Sequence, residues 1–153
     1  MTEHSVTHNT FVIERTYPAA PERVFAAFAS VDAKAQWFGA PRETLVADPE
    51  FDFRVGGHER FGFGYQGISY RYEGHYYDIV QDQRIIYSYE MYGDDARISV
   101  SVATIEFAAE GGQTVLTWTE QGAYLDGFDG AEAPLLRREG IGEMLDGLAK
   151  YLA

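Results

Sequence analysis

The chain has no cysteine, which excludes a disulfide framework, a thiol nucleophile and a thiolate metal site. Positive charge is scarce: 12 lysines and arginines stand against 24 acidic residues, for a formal charge of -12. No basic cluster is visible, so a phosphate backbone or an anionic membrane surface would be repelled, and nucleic acid is not an expected partner. No segment approaches the roughly 18 apolar residues of a membrane span. Residues 1–9 lack the basic start and apolar core of a signal peptide and read as a polar, disordered tail. Together these absences predict a cytoplasmic protein without membrane insertion. Histidine is sparse as well. His4 and His8 fall in the tail and His58 and His75 on separate candidate strands; none forms a helical pair with ligand spacing, so neither a metal site nor any other cofactor is expected.

What is present is apolar and aromatic. With 153 residues, 46% hydrophobic and 15% aromatic, the chain can bury the core of one compact domain, expected over residues 10–153. No internal repeat or low-complexity linker divides it.

The pattern along the chain predicts an α+β fold. Strand formers fill residues 10–17 and Pro18 stops them. Pro21 can then open a short helix over 21–30, with Val24, Phe25 and Phe28 on one side. A second short helix is expected over 32–38, before Gly39 and Pro41. From there the period becomes two, with candidate strands at 43–47, 51–55, 58–65, 69–79, 84–92, 97–107 and 114–121. The links are turn chemistry, such as Gln66-Gly67, Asp82, Gly93-Asp94-Asp95 and Gly111-Gly112. Links this short imply an antiparallel meander, because parallel strands need long crossovers.

The long helical pattern at 135–152 carries an apolar stripe of Ile141, Met144, Leu145, Leu148 and Leu152, expected to face the sheet. It also carries Gly140, Gly142 and Gly147. Each glycine in a helix interior costs about 1 kcal/mol relative to alanine, so another backbone, a bulky ring or a bound molecule is expected near this surface.

Eight of the eleven tyrosines lie between Tyr65 and Tyr92, and side chains with apolar area plus one hydroxyl suit the wall of a small-molecule pocket. Alternation groups Ile85, Tyr87, Tyr89 and Met91 on one face, Ile98, Val100 and Val102 on one face, and Leu116, Trp118 and Glu120 on one face. In strand 69–79, Tyr70, Tyr72 and Tyr76 oppose Arg71, Glu73, His75 and Tyr77, and the concave side is left open. Gly62, Gly64 and Gly67 have the spacing of a dinucleotide-binding loop, but strand-like sequence follows where a helix is required, so a tight hairpin is expected instead. The acidic stretch 126–132 lacks the oxygen spacing of a calcium loop and reads as a connection covering one end of the sheet. Candidate acid or base groups are Glu120, Glu90, His75 and Arg137, because a carboxylate pushed into an apolar pocket has its pKa raised. An ion pair of Glu120 with Arg137 is the structural alternative.

Several runs together resemble a known family: Pro21-Glu-Arg-Val-Phe-Ala-Ala-Phe, Gln36-Trp-Phe-Gly, Phe51-Asp-Phe-Arg-Val-Gly-Gly and Gly140-x-x-Glu-Met-Leu-Asp-x-Leu-Ala-x-Tyr-Leu. They are similar to the START-like (SRPBCC) superfamily, in particular the branch of homologues of the activator of heat-shock protein 90 ATPase, over almost all of residues 10–152. That resemblance implies a helix-grip fold, with a curved antiparallel sheet of about seven strands around the C-terminal helix and two short helices closing one end. It also implies a ligand between sheet and helix, with Trp37 bordering the cavity. Ile141 stands where many relatives have tryptophan, which would enlarge or reshape the pocket.

The leading expectation is a protein that binds a small hydrophobic or aromatic molecule, as a monomer or homodimer. Its candidate wall is Trp37, Phe53, Phe61, Tyr72, Tyr87, Tyr89, Met91, Val100, Trp118, Gly140, Ile141 and Met144. A polyketide cyclase- or dehydratase-like enzyme using the same pocket, and a protein-interaction or co-chaperone module, are the alternatives.

Overall fold

The computed structural model describes residues 4–38 and 49–153. The chain runs β1 (Val6–Tyr17), α1 (Pro21–Ala29), α2 (Val31–Lys34), β2 (Glu50–Phe51), β3 (His58–Tyr65), β4 (Ile68–Val80), β5 (Arg84–Gly93), β6 (Ala96–Glu110), β7 (Gln113–Leu125) and α3 (Ala133–Leu152). The seven strands form one sheet in the order β1-β7-β6-β5-β4-β3-β2, each pair antiparallel. This is the expected meander, with β1 returning to the edge beside β7. The glycines at 62, 64 and 67 do belong to a hairpin. Tyr65 pairs with Ile68 across Gln66 and Gly67, whose φ values of 50° and 80° are those of a tight two-residue turn.

Three local expectations differ from the fold. The first strand begins at Val6, inside the expected tail, because β7 runs on to Leu125 and pairs with it from Val6 to Tyr17. Backbone pairing decides this, whatever the polarity of Thr7, His8 and Asn9. The strand expected at 51–55 reduces to Glu50–Phe51. Beyond it the chain turns through Gly57, whose amide donates to Arg54 O at 2.8 Å; a Cβ there would lie 2.1 Å from Asp52 O, so only glycine fits. The second helix is a single turn, Val31–Lys34, after which the Trp37 and Phe38 amides both donate to Lys34 O. The strand expected at 43–47 lies outside the described residues.

The sheet buries one face. On it lie Phe11 and Ile13 of β1, Tyr72 and Tyr76 of β4, Ile85, Tyr87 and Tyr89 of β5, Ala103, Ile105 and Phe107 of β6, and Leu116 and Trp118 of β7. A register shift between Tyr76 and Asp78 turns Tyr77 outward and brings Ile79 opposite Ile85. Helix α1 covers β6 and β7, setting Phe25 and Phe28 edge-on to Phe107 at 5.5 and 5.3 Å between ring centroids. Helix α3 lies over β1 and β7 with Ile141, Leu145, Leu148 and Leu152 buried. Each of these side chains contributes about 1.5–3 kcal/mol of burial. The Tyr17 hydroxyl donates to Leu145 O at 2.8 Å and fixes how far the helix slides along β1. Phe128, in the loop before α3, lies against Gly93, where a Cβ would come within 2.5 Å of its ring. The acidic connection therefore does cover one end of the sheet. No helix among the described residues is long and apolar enough to cross a membrane.

The three helix glycines have different surroundings. A Cβ on Gly147 would meet Trp37 O at 3.6 Å, one on Gly142 would meet Arg15 Nη2 at 3.5 Å, and one on Gly140 would meet no described atom within 4 Å. Trp37 therefore lies at ordinary contact distance from Gly147, with room for one methyl group but not for a larger side chain. Gly147→Ala should keep or raise thermal stability, gaining up to about 1 kcal/mol of helix propensity, whereas Gly147→Leu should lose about 1–3 kcal/mol by overpacking against Trp37. Equal melting temperatures for the two variants would refute the contact.

Candidate functional site

Period-two alternation puts a continuous sheet of tyrosine rings on the buried face. Tyr72 and Tyr89 are 5.1 Å apart between centroids, Tyr87 lies 5.8 Å from both Tyr76 and Tyr89, and Trp118 meets Tyr87 edge-on at 6.2 Å. Phe61 stacks on Tyr72 at 4.8 Å, and Phe38 closes on the same ring edge-on at 5.7 Å. This wall carries a polar cluster at each end.

One end is built on Glu120, which is fully buried. It accepts from Trp118 Nε1 at 3.2 Å through Oε1 and from the Tyr89 hydroxyl at 2.7 Å through Oε2. Arg137, from the first half of α3, brings Nη1 to 3.9 Å from Glu120 Oε2 and donates to the Tyr89 hydroxyl at 2.9 Å and to Ser99 Oγ at 2.9 Å. Its guanidinium lies 5.3 Å from the ring centroids of both Tyr89 and Tyr124. Burial pushes the Glu120 carboxyl above its ordinary range, against the opposing pull of Arg137 and of the Tyr89 and Trp118 hydrogen bonds. The expected ion pair and the expected raised pKa thus occur at the same residue.

The other end went unrecognised in the sequence. Lys34 Nζ donates to Glu59 Oε1 at 2.7 Å and to the Tyr76 hydroxyl at 3.2 Å, and the Tyr72 and Tyr76 hydroxyls donate to the same carboxylate oxygen at 3.2 and 3.1 Å. Both ionic side chains are 6% exposed. The Lys34 ammonium also lies 4.1 Å from the Phe38 ring centroid and 5.5 Å from that of Phe51. Burial lowers its pKa, and Glu59 opposes the shift. A signal existed: Glu59 is in phase with Phe61 and Phe63 on β3, a charge on an otherwise apolar face, and Lys34 stands three and four residues before Trp37 and Phe38.

The remaining candidates sort by face. Tyr72, Tyr87, Tyr89, Trp118 and Ile141 are buried in the core; Phe53, Phe61, Met91 and Met144 pack against it partly buried. Trp37 is buried too, its Nε1 donating to Ala27 O at 3.0 Å and its ring edge-on to Phe28 at 4.6 Å, so it joins α1 to the segment after α2. Three candidates are misplaced. Val100 is exposed on the outer face, because Ser99, Ser101 and Ala103 take the inward positions of β6. His75 is exposed on the outer face of β4, opposite His58 and between buried Gly74 and Tyr76. Glu90 points outward because Tyr89 points inward; it accepts from the Tyr92 hydroxyl and lies 3.7 Å from Arg97. No cluster of three or more acidic or histidine side chains with the placement of a metal site occurs among the described residues.

A curved antiparallel sheet with an aromatic face against a long C-terminal helix, closed by two short helices, defines the helix-grip class of START-like domains. Residues 18–153 match the family described as Activator of Hsp90 ATPase homolog 1-like protein, and the chain belongs to that family. Similar solved structures include a Rhizobium leguminosarum protein, 42% identical over 99% of this chain and 98% of that one, with a TM-score of 0.91. A Rhizobium loti protein is 44% identical over 97% of this chain and 99% of that one, with a TM-score of 0.87. DynU16, a protein from the dynemicin biosynthetic locus, shares the fold at 20% identity and a TM-score of 0.67, over 94% of this chain and 46% of its own. No curated protein matches the chain in sequence.

Two outcomes follow from the clusters. Removing one member of the Lys34–Glu59 pair, by Lys34→Met or Glu59→Leu, should cost about 3–5 kcal/mol, because an uncompensated charge stays buried. The double variant should recover most of that loss in urea denaturation; additive losses would mean that the two groups do not interact. At Glu120 the folded pKa is raised above the ordinary 4.5. Its stabilising contribution is therefore complete below that value and is lost as pH rises through the elevated one. Glu120→Gln should accordingly gain stability relative to the parent as pH rises above the ordinary carboxylate range, and parallel pH curves would contradict the assignment.

Proposed function

We propose that this protein binds a small, mostly apolar molecule, aromatic ligands being best suited, between the concave face of the sheet and α3. The observation that carries this reading is the wall of aromatic rings on the concave face, opposite a helix that presents Ile141 and Met144 toward the core and on which a Cβ at half-buried Gly140 would meet no described atom within 4 Å. The facing wall offers flat rings and hydroxyls, the mixture that fixes the orientation of a small ligand. Membership of a superfamily whose members generally hold ligands in this place supports the same reading.

A second reading, a cyclase- or dehydratase-like reaction in the same pocket, draws support from the buried, pKa-raised Glu120 beside the Tyr89 hydroxyl. Both oxygens of that carboxylate are held by protein donors, an arrangement that favours positioning of the cluster over proton exchange with a ligand.

Native mass spectrometry of gently purified protein should show a defined extra mass that is lost on denaturation. Gly140→Leu should fold at least as well, since leucine is the better helix former by roughly 1 kcal/mol, and should emerge without that mass. A folded Gly140→Leu variant that still carries it would remove α3 from the site.

A further inference from the structure

Histidine is scarce in this chain, and the fold brings two of the four together. His58 of β3 and His75 of β4 are direct cross-strand partners. Both lie on the outer face of the sheet, away from the aromatic wall, because Glu59 on one strand and Gly74 and Tyr76 on the other take the buried positions.

The hydrogen-bond pattern fixes how closely the two approach. The His58 carbonyl accepts from the Asp52 amide at 2.8 Å, so its peptide groups serve the segment after β2. The bonds toward β4 pass through the neighbouring residues: the Tyr76 amide donates to Gly57 O at 3.0 Å, and Tyr76 O accepts from the Gly56 amide at 2.9 Å. His58 and His75 therefore form a non-hydrogen-bonded pair, the antiparallel position in which Cα atoms are about 4.5 Å apart and side chains come closest. Two imidazoles on such a pair can each bring a nitrogen to about 3 Å from the other, the spacing of two adjacent ligands on an ion with metal–nitrogen bonds of about 2.0–2.1 Å.

The surroundings suit a cation. His58 Nε2 lies 3.3 Å from Glu50 Oε2. The tautomer that donates this hydrogen leaves Nδ1 with its lone pair, and a carboxylate on the other ring nitrogen is the usual companion of a metal-ligating histidine. Arg60, in phase with His58 on β3, is matched by Glu50 at 3.1 Å and Glu73 at 3.5 Å, so its charge does not stand alone beside the pair. The formal charge of -12 attracts cations to the molecule as a whole.

We propose that His58 and His75 form a two-histidine chelate for a divalent transition-metal ion of the imidazole-preferring kind, zinc or copper(II), with water completing the coordination. The site lies on the opposite side of the sheet from the proposed ligand cavity and does not depend on it.

The test titrates the whole protein with zinc, copper(II) and magnesium salts, each alone, by calorimetry and by the imidazole nitrogen signals in NMR. Copper(II) should bind more tightly than zinc, and magnesium, which prefers oxygen ligands, should not bind. Zinc should move the nitrogen signals of His58 and His75. His75→Asn should weaken zinc binding by about 10-fold or more, a loss that removal even of an outer-shell partner can bring, and His58→Asn should do the same. Both side chains are exposed, so the melting temperature should stay unchanged. A His4→Asn, His8→Asn double variant should keep the site. Unchanged zinc affinity in a folded His75→Asn variant overturns the proposal, and so does loss of binding in the His4, His8 variant. Magnesium bound as tightly as zinc would show attraction to carboxylates alone, and no zinc or copper(II) binding by the parent would show that the pair is not a chelate; either result refutes it.

Discussion

Two carboxylates point into the concave face of the sheet, and each is held there by a cation from a helix. Glu59 of β3 is matched by Lys34 of α2, and Glu120 of β7 by Arg137 of α3. Removing a charge from water costs several kcal/mol, returned only when a partner and further hydrogen bonds surround it. The four tyrosine and tryptophan donors on these carboxylates supply those bonds. The placement of α2 and α3 is tied to the sheet through these contacts, more specifically than apolar packing alone would tie it.

The same arrangement gives the interior its character. The phenol groups of Tyr72, Tyr76 and Tyr89 point at the carboxylates while their rings form a wall. Hydroxyls committed to structure become rigid, and rigid aromatic surface favours binding because little side-chain freedom is left to lose. The inward face of β6 is small and polar, with Ser99 and Ser101 within reach of Arg137. The family relationship fixes the fold class, and the pattern of hydroxyls committed to the two carboxylates is where this chain's own chemistry resides.

That pattern also explains which site residues could be read beforehand. The period of two separated the faces correctly on β5 and β7, so Tyr87, Tyr89, Trp118 and Glu120 emerged together. It sorts residues into two sets without saying which set is concave. On β6 hydrophobicity points the wrong way, because Val100 and Val102 face outward while serines face in to receive a guanidinium from α3. His75 and Glu90 were candidates as titratable groups on aromatic strands, and their neighbours' inward placement sends both outward. Lys34 and Glu59 were passed over because they are 25 positions apart and their ion pair exists only after α2 docks over β3.

By itself the sequence determined the meander, the hairpin at Gln66-Gly67, the amphipathic terminal helix and the family, since all of these follow from local periodicity, turn residues and short motifs. Only the tertiary structure decided how far β1 reaches back along β7, which strand face is concave, and which hydroxyls and charges pair across it. Those features depend on groups brought together from distant parts of the chain. Their free energy comes from desolvation and pairing in three dimensions, which no local pattern encodes.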